Sequence, residues 1–154
     1  MKISEILKGD FIIPNLTGKD KESVIAELAD FLEKKGAIKN KEVLAKALMD
    51  REKLGSTGIG ENVAIPHAKC EDVEQIRTLF ARSLEGVDYD SLDQKPVYYV
   101  CLVLAPGNST GHHLKALARI SRLLKNQNLR EGILAAKDAN QIYEIILEED
   151  SKFI

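Results

Sequence analysis

Residues 51–69 contain the side chains whose types and spacing suit chemistry on an anionic group. His67 lies near the end of this segment. An ordinary imidazole is largely neutral near pH 7, and its free nitrogen can act as a nucleophile. Residues 56–60 combine small polar side chains with two glycines, and such a run can turn several backbone N–H groups toward one point. The segment therefore favours a site in which His67 lies beside a cradle for a phosphoryl group.

The same segment fits neither of the common nucleotide-binding motifs and has a plain structural alternative. It lacks the Lys-Ser/Thr pair of the P-loop, and Gly58 and Gly60 lack the third glycine of the dinucleotide fingerprint. A single histidine that follows Pro66 is also compatible with a structural loop residue. Spacing alone leaves His67 open between a nucleophile and a loop residue.

We expect no cofactor and no metal. A neutral imidazole needs no general base to attack phosphorus, and catalysis of phosphoryl transfer depends mainly on donors around the phosphoryl oxygens. Cys70 and Cys101 form no CxxC pair and have no histidine at metal-ligand spacing. We therefore expect two reduced thiols rather than a disulfide or a zinc site.

The composition is that of a globular protein. The chain has 154 residues, of which 44% are apolar and 30% charged, and a formal net charge of −2 at pH 7, so we expect one domain over residues 1–154. The charge gives no attraction for nucleic acid, and no apolar run approaches the roughly 20 residues of a membrane span. The N-terminus lacks the apolar core of a signal peptide. We expect a cytoplasmic protein without nucleic-acid binding or membrane insertion.

Capping residues and apolar spacing predict four main helices. Asp20, Asn40 and Asp138 are candidate N-caps, and another helix is expected to begin near Thr110. Negative charge at 148–150 opposes the dipole at the end of the last helix, so we expect fraying there. The residues predicted to face the core are Val43, Leu44, Ala47 and Leu48 in the second helix, and Leu114, Leu117, Ala118, Ser121 and Leu124 in the third.

The apolar run 97–104 is rich in β-branched and aromatic residues, which predicts a central strand buried on both faces. Shorter runs predict strands at 11–13, 63–65 and 75–84. The strand at 63–65 stops at a proline, which places His67 at its tip. Strands interleaved with helices indicate the α/β class, with helices on both faces of one sheet.

Residues 52–68 resemble a known family signature. They are similar to the signature of the enzyme IIA proteins of the phosphoenolpyruvate-dependent phosphotransferase system, in the fructose/mannitol class (type 2). The resemblance covers nearly the whole chain, and residues 54–60 are most like the stand-alone nitrogen-regulatory branch. It implies a single mixed β-sheet flanked by helices on both faces. The signature positions are filled by Glu52, Ile59, Gly60, Val63, Ala64, Ile65, Pro66, His67 and Ala68.

The resemblance implies roles for three side chains. It makes His67 the phosphorylated residue, at its Nε2 nitrogen, and His113 a second active-site histidine. It also carries the helix-terminal arginine of the family onto Arg51, although the helix dipole alone favours a cation there. Adjacent helical residues point about 100° apart, so His112 and His113 cannot both face the site. His112 replaces an acidic residue of the family, which alters the local charge.

Five further residues near His67 keep two interpretations each. Ser56, Thr57 and Gly58 are candidates for binding the phosphoryl group, and they equally fit a role in capping the turn. Lys69 is either an ordinary solvated side chain or a charge that steers a partner. Ile59 belongs either to a docking surface for a carrier protein or to the core.

Three functions remain open. In the first, His67 accepts a phosphoryl group from an HPr-type phosphocarrier and passes it to a IIB component. In the second, the chain is a regulatory protein that binds kinases or transporters, either according to its phosphorylation or independently of it. The third, from a different class, is a small hydrolase with His67 as general base, for which the neighbouring sequence offers no obvious nucleophile.

Overall fold

The computed structural model describes residues 1–152, which form helices interleaved with the strands of one sheet. Within this range no helix is long and apolar enough to cross a lipid bilayer. The helices are α1 (Ile3–Ile6), α2 (Lys21–Lys34), α3 (Lys41–Glu52), α4 (Thr110–Leu124), α5 (Gln127–Ala135) and α6 (Ala139–Asp150). The strands are β1 (Ile12–Ile13), β2 (Gly58–Gly60), β3 (Val63–Ala64), β4 (His67–Lys69), β5 (Arg77–Val87) and β6 (Val97–Ala105).

Three helices begin at the side chains predicted to cap them. Asp20, Asn40 and Asp138 each accept a hydrogen bond from the backbone N–H three residues further along. The strand predicted at 75–84 begins slightly later and continues to Val87, because it pairs with β6 as far as that residue. Local capping chemistry therefore predicted where these three helices begin.

The sheet is mixed, as predicted. Its strand order is β1-β5-β6-β3-β2, and β4 also pairs with β6. β5 is antiparallel to β6, whereas β1 is parallel to β5, and β3 and β4 are both parallel to β6. Every residue of β6 except Tyr98 is buried, so helices cover both faces of the sheet around this central strand.

β3 and β4 lie end to end along the same edge of β6. Val63 pairs with Tyr99 and His67 pairs with Val103, while Pro66 occupies the break between the two strands. The carbonyl of Pro66 accepts a hydrogen bond from Val103 N at 2.9 Å, but proline has no N–H to donate. His67 therefore begins a second short strand, rather than standing beyond the end of the first.

The buried faces of α3 and α4 differ from the prediction. Val43 is 65% exposed and Leu114 is 63% exposed. The prediction turned Leu114 inward, but in α4 the small Ala116 is fully buried instead. The buried residues of α4 are Ala116, Ile120, Leu123 and Leu124, and those of α3 are Leu44, Leu48 and Glu52.

The expected fraying at the end of α6 is wrong. Asp150 is only 4% exposed, and its carboxylate accepts hydrogen bonds from Ile3 N at 2.9 Å and from Arg119 Nε at 2.7 Å. A paired guanidinium and a buried backbone donor offset the unfavourable helix dipole. The end of α6 is tied to α1 and α4 instead.

Candidate functional site

A hydrogen bond of the His67 ring determines which of its two nitrogens has a free lone pair. Its Nδ1 atom lies 2.9 Å from the carbonyl oxygen of Ile65. A carbonyl can only accept a hydrogen bond, so Nδ1 must carry the ring proton. The second nitrogen, Nε2, then keeps its lone pair, which gives His67 the tautomer required of a nucleophile at Nε2.

Arg51 lies beside that free nitrogen. It belongs to the last turn of α3, and its Nε donates a hydrogen bond to His67 Nε2 at 3.3 Å. Its Nη1 donates to the carbonyl oxygen of Gly55 at 2.9 Å. Gly55 has φ of +148°, a conformation that favours glycine. The guanidinium is thus held by the turn after α3 and points at the reactive nitrogen.

His113 completes a pair of histidines. Its ring centroid lies 5.5 Å from that of His67, with the two rings at 78° to each other. Its Nε2 atom is buried and has no hydrogen-bond partner within residues 1–152. Burial lowers the pKa of His113, and its neighbours His67 and Lys69 contribute in the same direction. A neutral ring with an unsatisfied buried nitrogen is suited to contact with a bound group.

His112 points away from this pair. It is exposed and lines a surface depression with Ser109 and Lys115 rather than the surroundings of His67. The structure therefore confirms that the two adjacent histidines of α4 do not share one site. Only His113 reaches His67.

The turn that leads from α3 into β2 contains the predicted phosphoryl-binding residues. Gly58 N donates to Ser56 Oγ at 3.1 Å, and Thr57 is buried with both its N–H and its hydroxyl donated to Glu52. These contacts are the ones expected of turn-capping groups. Gly58 also packs tightly, because a Cβ added there would lie 2.4 Å from Ser91 Oγ.

A buried network next to this turn was missed by sequence reasoning. Glu52, the last residue of α3, is 7% exposed. Its carboxylate pairs with Lys21 Nζ at 3.0 Å and accepts a hydrogen bond from Tyr89 OH at 3.2 Å. Burial and then the charge of Glu52 raise the pKa of Tyr89. No local pattern links positions 21, 52 and 89, although a carboxylate at a helix C-terminus is itself an unusual placement.

The two cysteines and the acidic side chains form no metal centre in the part of the chain that the structure describes. No group of three or more His, Cys, Asp or Glu side chains within residues 1–152 is placed to hold an ion. Cys101 is buried in β6, which raises the pKa of its thiol to about 12, and Cys70 is a second free thiol.

Comparison with known proteins identifies the class. The model of the family described as phosphoenolpyruvate-dependent sugar phosphotransferase system, EIIA 2, matches residues 5–149. The chain belongs to this family. The resemblance seen in the signature around His67 is thereby confirmed.

Individual relatives fall into a sugar group and a nitrogen group. The chain is 40% identical over 150 residues to the PTS system fructose-specific EIIABC component of Bacillus subtilis, covering 97% of this chain but only 24% of that longer protein. It is also 40% identical over 147 residues to the nitrogen regulatory protein of Bradyrhizobium diazoefficiens, covering 95% of each. The crystal structure of nitrogen regulatory protein IIA-Ntr from Neisseria meningitidis superposes with a TM-score of 0.85 at 33% identity, covering 94% of this chain and 98% of that one.

Proposed function

We propose that this chain is a phosphoryl carrier in which Nε2 of His67 accepts a phosphoryl group from an HPr-type phosphocarrier. The hydrogen bond between His67 Nδ1 and the Ile65 carbonyl carries this proposal, because it leaves Nε2 with a free lone pair beside Arg51. Membership of the EIIA 2 family supplies the reaction class. The recipient is a IIB component, in keeping with a fructose-specific relative whose name joins the A, B and C components.

The transfer requires no proton removal at His67. The Nε2 lone pair forms the new N–P bond while the P–N bond to the donor phosphohistidine breaks, and the bonding pair returns to the donor nitrogen. The Nδ1 proton stays in place, and the Ile65 carbonyl stabilises the positive charge that the ring gains. Transfer to the recipient reverses the same steps at His67.

Arg51 and His113 act on the phosphoryl oxygens. As Nε2 bonds to phosphorus, the Arg51 Nε–H loses its acceptor on the ring and donates to an equatorial oxygen instead. His113 contributes its unpartnered Nε2, which as an N–H meets a second oxygen. Its lowered pKa keeps this ring neutral before the phosphoryl group arrives, so the empty site holds no additional buried charge.

A regulatory use of the same phosphorylation is the second candidate. The nitrogen regulatory protein of Bradyrhizobium diazoefficiens matches 95% of this chain, and the IIA-Ntr structure from Neisseria meningitidis covers 94% of it. A phosphohistidine adds about −1.5 to −2 charges, by analogy with other phosphorylated side chains, and so can switch affinity for a protein target. Both uses share the acceptance step. They differ in whether the phosphoryl group leaves quickly for a IIB component or persists.

The hydrolase alternative gains no support from the geometry. The hydrogen-bond partners of His67 among residues 1–152 are Arg51 and the Ile65 carbonyl, and no Ser, Thr or Cys side chain donates to its ring. The hydroxyl of Ser56 contacts Gly58 N and Lys21 instead, and that of Thr57 is donated to Glu52. Among residues 1–152, no hydroxyl or thiol side chain is therefore hydrogen-bonded to His67 for activation.

The test is acceptance of phosphate from a complete donor chain, followed by intact mass. The protein is incubated with phosphoenolpyruvate, enzyme I and HPr, in parallel with His67→Ala, His113→Ala and His112→Ala. We expect one acid-labile adduct that is absent in His67→Ala, slowed in His113→Ala, and unchanged in the matched control His112→Ala. The same adduct in His67→Ala, or no adduct on the folded parent protein, contradicts the proposal.

A further inference from the structure

The buried carboxylate of Glu52 makes an unusual set of contacts for the end of a helix. It accepts hydrogen bonds from Thr57 N at 3.0 Å, from the Thr57 hydroxyl and from Tyr89 OH, and it pairs with Lys21. The helix dipole and desolvation both oppose a buried anion at this position. The contacts therefore fix the position of the Glu52 carboxylate, and the buried charge itself is not a source of stability.

Those contacts close the turn at 53–57. Thr57, at the end of the turn, is fastened back onto the last residue of α3 through both of its donors. Lys21, at the start of α2, reaches the same turn through Ser56 Oγ at 3.4 Å, and its Nζ lies over the ring of Tyr89 at 5.1 Å from the centroid. Two other parts of the fold thus fix the turn in place.

The same turn holds Arg51. Its central carbonyl, Gly55 O, accepts the hydrogen bond from Arg51 Nη1, and the Nε of that guanidinium is 3.3 Å from His67 Nε2. A shift of Thr57 away from Glu52 therefore moves Gly55 O and, with it, the direction of the guanidinium. A continuous series of contacts runs from Lys21 and Tyr89 to the reactive nitrogen.

We propose that Glu52, held by Lys21 and Tyr89, is a positioning residue that fixes the turn at 53–57 and so aims Arg51 at the phosphoryl group on His67. The inference rests on the proposed phosphoryl-carrier function. Glu52 itself does not touch the reacting atoms. It acts through Thr57 and Gly55, and its influence is on the geometry of the guanidinium.

The decisive variant is Glu52→Gln, which keeps the shape of the side chain and removes its charge. Phosphorylation by HPr is followed over a range of donor concentrations, and thermal unfolding is measured in parallel. The positioning role predicts a maximal rate lower by about 10- to 100-fold, with the half-saturating concentration of donor unchanged. The matched control is Lys41→Met, which removes a Lys–Asp pair between α2 and α3 that does not reach the turn and leaves the rate at the parent value.

A purely structural role gives a different result. Glu52→Gln then lowers the melting temperature, while the maximal rate of the folded variant equals that of the parent, and this outcome overturns the proposal. If Glu52→Gln does not fold, Tyr89→Phe and Lys21→Met decide the question through the same two readouts. Each removes one group that holds the carboxylate and leaves the carboxylate in place.

A second readout separates this inference from the proposed function. The ¹⁵N relaxation of the Arg51 Nε–H group reports whether the guanidinium is ordered, and it requires no phosphoryl donor. We expect an ordered Nε–H in the parent protein and a mobile one in Glu52→Gln. Failure of the parent to accept phosphate refutes the carrier function, whereas an equally ordered Arg51 in Glu52→Gln refutes the positioning role.

Discussion

The Nε atom of Arg51 lies 3.3 Å from Nε2 of His67, although the two residues come from different elements, the end of α3 and the start of β4. In the proposed reaction, this contact places a hydrogen-bond donor beside the nitrogen that accepts the phosphoryl group, before that group is bound. Catalysis of phosphoryl transfer depends on such preorganised donors. The proposed phosphoryl transfer therefore depends on the contact between these two residues.

Replacement of Arg51 by lysine tests this preorganisation. A lysine keeps the charge but has no planar fork, so it cannot hold Gly55 O and direct a second donor at His67 together. We expect the rate of phosphorylation of Arg51→Lys to fall by about 100-fold, comparable with loss of an oxyanion donor. Rapid quenching followed by intact mass measures the rate, and circular dichroism verifies the fold. A parent-like rate in the folded variant contradicts the role given to Arg51.

The lowered pKa of His113 predicts a dependence of stability on pH. Below its ordinary value of 6.5, the unfolded chain binds a proton at this position that the folded chain does not yet bind. The free energy of unfolding therefore falls as the pH drops from 6.5 toward the lower pKa of the folded state. Urea unfolding is measured above and below pH 6.5. The loss in the free energy of unfolding at the lower pH should be smaller in His113→Gln than in the parent protein. Equal losses in both proteins contradict the prediction.

Phosphorylation of His67 is expected to raise the pKa of His113. The rings lie 5.5 Å apart, and a phosphoryl group adds about −1.5 to −2 charges between or beside them. A nearby negative charge favours the protonated imidazole, so the shift is upward. A titration of the His113 ring signals by NMR, with and without phosphate on His67, measures it. His112, exposed on the same helix, is the internal reference, and an unchanged His113 titration contradicts the arrangement.

Gly58→Ala tests the tight packing behind the site. The new Cβ would lie 2.4 Å from Ser91 Oγ and 2.9 Å from Ser91 Cα, so either the backbone at Gly58 or the backbone at Ser91 has to shift. We expect a loss of about 1–3 kcal/mol in the free energy of unfolding. The control is Gly111→Ala, where an added Cβ meets nothing within 4 Å and a helix former replaces glycine. Equal stability of the two variants contradicts the close approach.

Much of the fold could be predicted because its signals are local. The caps at Asp20, Asn40 and Asp138 are side-chain chemistry within a few residues, and the buried strand β6 is a continuous apolar run. The face of α4 could not be predicted in the same way. Ala116 is buried and Leu114 is exposed. In a closely packed interior, the shape and size of side chains decide which of them fit, as well as their hydrophobicity.

The site likewise has residues that the sequence could predict and contacts that it could not. The family signature indicated His67, and the adjacency of His112 and His113 predicted that only one of them can face it. The network of Lys21, Glu52 and Tyr89 joins three distant positions of the chain through one buried carboxylate. No periodicity or short motif records such a contact, so only the folded structure reveals it.

The most direct measurement is the site of attachment of phosphorus on the histidine ring. The protein is labelled with ¹⁵N-histidine, phosphorylated through HPr, and studied by ¹H–¹⁵N correlation with ³¹P coupling. We expect phosphorus to be coupled to Nε2 of His67, while Nδ1 keeps the proton that it donates to the Ile65 carbonyl. Coupling to Nδ1, or to any other residue, contradicts phosphorylation at Nε2 of His67.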